Sequence, residues 1–302
     1  IIALIVAAYF ITQGKKIDDE KRGIFDFGDE NYYEQTQDNL QNCEFRSSLN
    51  GVCVDSAEAV HTPVVAVMVE NHFEANPLSG VVDAAVVYEA PVEGSIPRLL
   101  ALYPLDSDVK KVGPVRSARP YYLDWVSEFE SAMYMHVGGY PEALKKITRI
   151  GLFDMNEFSR GWYFWRDNSR YAPHNVYTSA ELWNSAYDRY SNSSTVYEHQ
   201  SWEYLPAELC EENCVSSVQF SYGGGYYNPE WRFVSSSGQY ECLQLNKKHR
   251  DADGAPYVAD TVVIQGDDGR VLDSVGRLGL DTIGEGEGYV LRDGYATKGT
   301  WR

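Results

Sequence analysis

Positive charge is scarce in this chain: 26 Lys and Arg stand against 44 Asp and Glu, a formal net charge of −18 over 302 residues. A field of that sign repels a phosphate backbone, so no nucleic-acid partner is expected. Histidine numbers six and cysteine five, and neither falls in a metal-binding spacing. His72, His136 and His174 are spread over a hundred residues, so the sequence implies no metal and no cofactor. Ser117 lacks the Gly-x-Ser-x-Gly elbow that exposes a nucleophile. No internal repeat is evident. What the chain does have is 44% hydrophobic and 14% aromatic residues, enough for a substantial core.

The one uncharged apolar run, Ile1 to Ile11, would rise only about 16 to 17 Å as a helix, short of the roughly 30 Å hydrocarbon layer. Residues 1–13 are read as part of a membrane anchor or signal segment, with the bulk of the chain on the extracytoplasmic face of the cell membrane. Cysteine usage fits that location. Cys43 with Cys53, and Cys210 with Cys214, form two close pairs of the kind found in oxidising compartments, with Cys242 left over. A two-residue turn at Asn50-Gly51 would set Ser48 rather than Cys43 opposite Cys53, so either the turn is wider or the pair is not cross-strand.

Residues 14–59 are polar and read as a stalk. Then Val64 to Val69 gives a β-branched run of the doubly buried type, ending at Glu70-Asn71-His72. Further strands are expected at 85–88, 99–103 and 131–135. Helices are expected from Tyr121 to Glu130, from Pro141 to Ile150 before Gly151, and after the capping box at Thr178-Ser179-Ala180-Glu181. Residues 60–190 thus form an α+β domain with a mixed sheet. Residues 191–215 have linker composition, and residues 216–302 read as a smaller, mainly antiparallel β domain whose last strand is cut short. Gly284 to Gly288 is expected to be a hairpin turn.

The chemistry gathers near Gly113-Pro114-Val115-Arg116-Ser117-Ala118-Arg119-Pro120. Proline suits the first helical position, so Arg116, Ser117 and Arg119 would meet the free N–H groups of a helix start and seat a small anion. The competing reading is that Arg98, Arg116 and Arg119 neutralise carboxylates of the same fold. Glu89 and Glu93 flank Pro91 and are candidates for an acid and base pair if the chain bends there. His136, before Gly138-Gly139, and His174 with Asn175, in a loop, are the other candidates. Trp162, Tyr163 and neighbouring aromatics would suit a sugar or peptide.

These segments, with Asn71-His72, Pro77-x-Ser79-Gly80, Val87-Tyr88-Glu89, Val92-Glu93-Gly94, His136-x-Gly138-Gly139, Pro173-His174-Asn175 and Thr300-Trp301, occur in the order seen in the YerB-like bacterial lipoproteins, which the chain resembles over about residues 60 to 302. The resemblance implies an exported, membrane-anchored protein with no established catalytic residues. One departure is that no cysteine for lipid attachment precedes Cys43. The expected function is binding of an anionic cell-envelope ligand in an Arg/Glu/His cleft. The alternatives are an envelope glycan or peptide hydrolase or transferase using Glu and His, and a scaffold that contacts an envelope protein.

Overall fold

The computed structural model describes residues 3–9, 43–191, scattered positions between 202 and 212, and 214–302 save 223–226. In chain order the strands are β1 (Ala3–Tyr9), β2 (Phe45–Arg46), β3 (Cys53–Val54), β4 (Val64–Glu70), β5 (Val86–Pro91), β6 (Pro97–Pro104), β7 (Met133–His136), β8 (Phe153–Asn156), β9 (Trp165–Arg166) and β10 (Val176–Tyr177). There follow β11 (Ser217–Gln219), β12 (Pro229–Val234), β13 (Gln239–Gln244), β14 (Lys247–Lys248), β15 (Val258–Ala259), β16 (Thr261–Asp267), β17 (Gly269–Val271), β18 (Leu278–Leu280), β19 (Gly286–Arg292) and β20 (Tyr295–Trp301). Among the described residues four α-helices accompany them: α1 (Tyr122–Val126), α2 (Pro141–Ile150), α3 (Glu157–Arg160) and α4 (Ala180–Tyr190). The fold is mixed α+β.

A nine-stranded sheet in the order β20-β19-β16-β1-β5-β6-β4-β7-β8 runs through the molecule, and β11 to β15 form a separate antiparallel sheet. The long sheet is covered on both sides, which is why all seven residues of β4 are buried and apolar up to Glu70. On one side Val65, Val67 and Val69 pack in a cluster with Trp183 of α4 and with Trp231 and Tyr240 of the second sheet. On the other, Ala66 and Met68 share a cluster with Tyr122 and Trp125 of α1 and Ile147 of α2. Each such buried Val, Leu or Met side chain contributes about 1.5 to 3 kcal/mol.

Several expectations are corrected. Residues 3–9 are not helical: they form a strand parallel to both β5 and β16. An uncharged run of this length satisfies its backbone groups as well in a central strand as in a helix, provided two strand edges are open to it. Through this strand β16, β19 and β20 join the same sheet as β4 to β8. Among the described residues no helix is long and apolar enough to cross a membrane.

The helix expected over 121–130 is the five-residue α1, followed by turns. Gly286 to Gly288 belongs to β19 rather than to a turn. Most of the stalk, 14–42, lies outside the described residues. Its C-terminal part is ordered, with the β2–β3 hairpin, a Cys43–Cys53 disulfide and a buried Leu49. Arg46 rather than Ser48 lies opposite Cys53, so the turn is the wider one. Most of the linker is likewise outside the described residues, but Cys210 and Cys214 are bridged, and the Cys210 and Val215 N–H groups donate to Asp293 and Gly294 carbonyls.

Candidate functional site

Strands β4 and β7 pair in parallel only through Val65–Val67 and Met133–Met135. Beyond that the arginine-bearing segment enters the wedge between their carboxyl ends. Glu70 N–H donates to the Pro114 carbonyl at 2.9 Å and Arg116 N–H to Met68 at 2.8 Å, while Val137 and Ala118 N–H groups donate to Arg116 and Gly138 carbonyls, both at 3.0 Å. Gly113 makes the entry possible: at φ +146° a Cβ would lie 2.8 Å from the Val176 carbonyl oxygen. Carboxyl ends of parallel strands are the usual place for a ligand crevice in open sheets.

Arg119 therefore ends an inserted strand-like segment, and the helix after it is too short to supply the anion seat expected of its N-terminus. Its guanidinium is committed elsewhere. Nε and Nη2 donate to the two Glu93 carboxylate oxygens at 3.1 and 2.7 Å, Nη1 reaches backbone carbonyls, and the Tyr140 ring lies 4.1 Å away. That is the bidentate fork geometry that favours Arg over Lys.

Arg98 is buried on β6. Its Nη1 donates to the Ser117 carbonyl at 2.7 Å, Nε has no acceptor, and no carboxylate pairs with it among the described residues. Burial, then the neighbouring charges of Arg119 and Arg116, pull its pKa down to about 10. Ser117 contributes its carbonyl to both arginines; its hydroxyl has no partner among the described residues.

Arg116 is the accessible member, with about a quarter of its side chain exposed. Its Nε lies 3.2 Å from Glu70 Oε1, too poorly aligned to count as a hydrogen bond, and its terminal nitrogens are unengaged among the described residues. Glu70, itself buried, is shared: its Oε2 is 2.8 Å from His174 Nδ1. His174 Nε2 lies 3.4 Å from Glu74 Oε2, and its ring stacks on His72 at 5.5 Å.

The other predicted residues go elsewhere. Glu89 faces the opposite side of the sheet, beside Tyr222 and Cys242, where burial pushes its pKa up to about 7. Among the described residues, neither its Oε1 nor the Tyr222 hydroxyl meets a partner with hydrogen-bond geometry. Glu89 and Glu93 thus do not face one another. His136 is fully buried, its two ring nitrogens 2.7 Å from the Gly138 carbonyl and 2.8 Å from Asp154 Oδ1. Both nitrogens are thus engaged inside the fold, and neither is presented to a substrate. Asn175 ties down its own hairpin, accepting from Arg166 and donating to the Arg170 carbonyl.

Glu70 and Glu74, which sequence reasoning did not single out, hold the network together. The linear signal for Glu70 is its position at the end of the most hydrophobic strand, and Glu74 lies in the turn that follows.

The N-terminal domain of DUF3048, a protein family of unknown function, matches residues 49–193, and its C-terminal domain matches residues 218–302. Among curated proteins, the "Putative lipoprotein YerB" of Bacillus subtilis (strain 168) is 27% identical over 263 residues, spanning 86% of this chain and 78% of that protein. A crystal structure of the YerB protein from Bacillus subtilis superposes with a TM-score of 0.73 at 26% identity, covering 86% of this chain and 87% of the other.

Proposed function

We propose that this chain, which belongs to the DUF3048 family, binds an anionic cell-envelope ligand, carrying a carboxylate or phosphate, in the crevice where β4 and β7 part, with Arg116 as the contact. The observation that carries the reading is the unbalanced positive charge. Arg98, Arg116 and Arg119 lie together, Glu93 offsets Arg119, Glu70 is divided between Arg116 and His174, and buried Arg98 has no carboxylate among the described residues. An uncompensated buried charge is costly, and an anion on the unspent Arg116 nitrogens relieves that cost.

The exposed Phe158 ring borders the crevice, and Tyr171 lies in the loop just before His174. Phe158 packs against Gly138, whose φ of +57° leaves no room for a Cβ beside that ring, and exposed Tyr171 accepts the His174 N–H through its carbonyl. Aromatic faces beside charged groups suit a sugar ring, so an acidic glycopeptide or wall polymer fits the chemistry. An extracytoplasmic, membrane-associated location is supported by the lipoprotein name of the relative and by the two disulfides.

Calorimetric titration with inorganic phosphate and with a carboxylate-bearing wall fragment tests the reading. Loss of a charged hydrogen bond is worth about 1.5 to 3 kcal/mol, so Arg116→Gln should weaken binding about tenfold or more. Arg116→Lys keeps a charge beside Glu70 and should still weaken it severalfold, because the fork is gone. Equal affinity in parent and variants, or no binding of either probe by the parent, overturns the reading.

A further inference from the structure

At the outer edge of this network, His72, Glu74 and His174 bring one donor atom each to within 4.8 Å of one another. The residues come from two places: the turn that follows β4, and the loop that precedes β10. Glu74 Oε2 lies 3.4 Å from His174 Nε2 and 3.8 Å from His72 Nδ1.

The hydrogen bonds around these atoms set which nitrogens carry a lone pair. His174 Nδ1 lies 2.8 Å from Glu70 Oε2, an acceptor, so the ring donates there and turns its Nε2 lone pair toward Glu74. His72 Nδ1 accepts a 3.2 Å bond from the Glu74 N–H, so it carries a lone pair on this side, and a metal bound there takes the place of that hydrogen bond. A carboxylate that fixes the far nitrogen of an imidazole is the arrangement that orients histidine toward a metal.

We propose that His72, Glu74 and His174 form a three-ligand site for a divalent transition metal of the zinc type, with Glu70 orienting His174. Two imidazoles and one carboxylate suit zinc rather than magnesium or calcium, which take oxygen ligands. Bonds of about 2.0 to 2.2 Å require donor separations near 3.3 to 3.6 Å, so the ligands draw together by about 1 Å on binding. Glu74, with its side chain 58% exposed, is free to swing inward. Three protein ligands leave a fourth position for water or for an anionic group. The site uses neither Arg116 nor Arg98, so it stands or falls separately from the anion reading.

The test is titration of the full chain, stripped with EDTA, by Zn(II) and by Co(II) in the absence of any anionic ligand. The result expected is saturable uptake of one equivalent, with Co(II) giving the visible bands of a four- or five-coordinate nitrogen and oxygen site. His72→Ala and His174→Ala should each weaken uptake at least tenfold, and Glu70→Gln by about 10- to 100-fold. Glu74→Gln, on an exposed side chain, covers the case in which a histidine variant fails to fold, and it too should lose at least tenfold. Absence of saturable uptake, or affinity unchanged in these variants so that the acidic surface alone binds the ion, overturns the proposal.

Discussion

Arg116 and Arg119 are three residues apart and differ in what surrounds them. The Arg119 fork is spent on Glu93 under the Tyr140 ring, so Arg119→Gln strands a largely buried carboxylate and should cost about 3 to 5 kcal/mol, read as a lowered unfolding midpoint. Arg116→Gln should be the milder change in stability and the larger one in binding.

Glu89 makes a second prediction at this scale. Its folded pKa is raised from 4.5 to about 7, so the fold favours the protonated acid. Stability from this group is complete below about pH 4.5, declines as pH rises, and is gone above about pH 7, a total of about 3 kcal/mol. Glu89→Gln should match the parent near pH 4.5 and exceed it near pH 8; an identical pH profile for the two proteins contradicts the burial argument. His249 acts in the opposite sense. Burial lowers its pKa to about 4, so its contribution is present above about pH 6.5 and is lost on acidification toward pH 4.

Among the elements, those with a self-contained local signal were legible in the sequence. The β-branched run of β4 reads as a doubly buried strand, and Pro141 with Gly151 brackets α2. Ser179 caps α4 through a bond from the Leu182 N–H. What could not be read was long-range. Glycine and proline in 113–120 resemble a helix entry, yet the segment is drawn into the wedge between β4 and β7 by bonds to residues far away in the chain. Glu89 and Glu93 share a parity that an unbroken strand would set on one face, but β5 ends at Pro91 and Glu93 lies in the turn beyond it, so the two part. The neighbours Glu70 and His174 are 104 positions apart, a contact no local pattern encodes.

Strand β1 offers a direct test at this scale. A chain beginning at residue 10 leaves β5 and β16 each without a neighbour on one edge, and it should unfold at a lower temperature than the parent; an unchanged midpoint would mean that the sheet does not depend on that strand. The disulfides are checked by alkylation. The folded, unreduced protein should label at no cysteine, denaturation alone should expose Cys242, and reduction should add the other four.

Across the whole molecule, a chain of net charge −18 carries a patch where guanidinium groups outnumber the carboxylates facing them. The surrounding field repels anions at long range, so occupancy has to come from contact in the crevice and not from steering. An anionic ligand should accordingly associate faster as salt screens that field, the reverse of what a basic protein shows, and stopped-flow binding at low and physiological ionic strength would reveal it. The shared sheet adds a structural reason for both halves to be kept together, since strands from 261–301 extend the one that builds the crevice.

The most direct measurement is a crystal of the full chain soaked in tungstate, an electron-dense phosphate analogue, with the anomalous signal used to locate the ion. The account predicts a peak within hydrogen-bond reach of the Arg116 terminal nitrogens, and its loss in crystals of Arg116→Gln. Peaks confined to other surfaces, with none at Arg116, would contradict it.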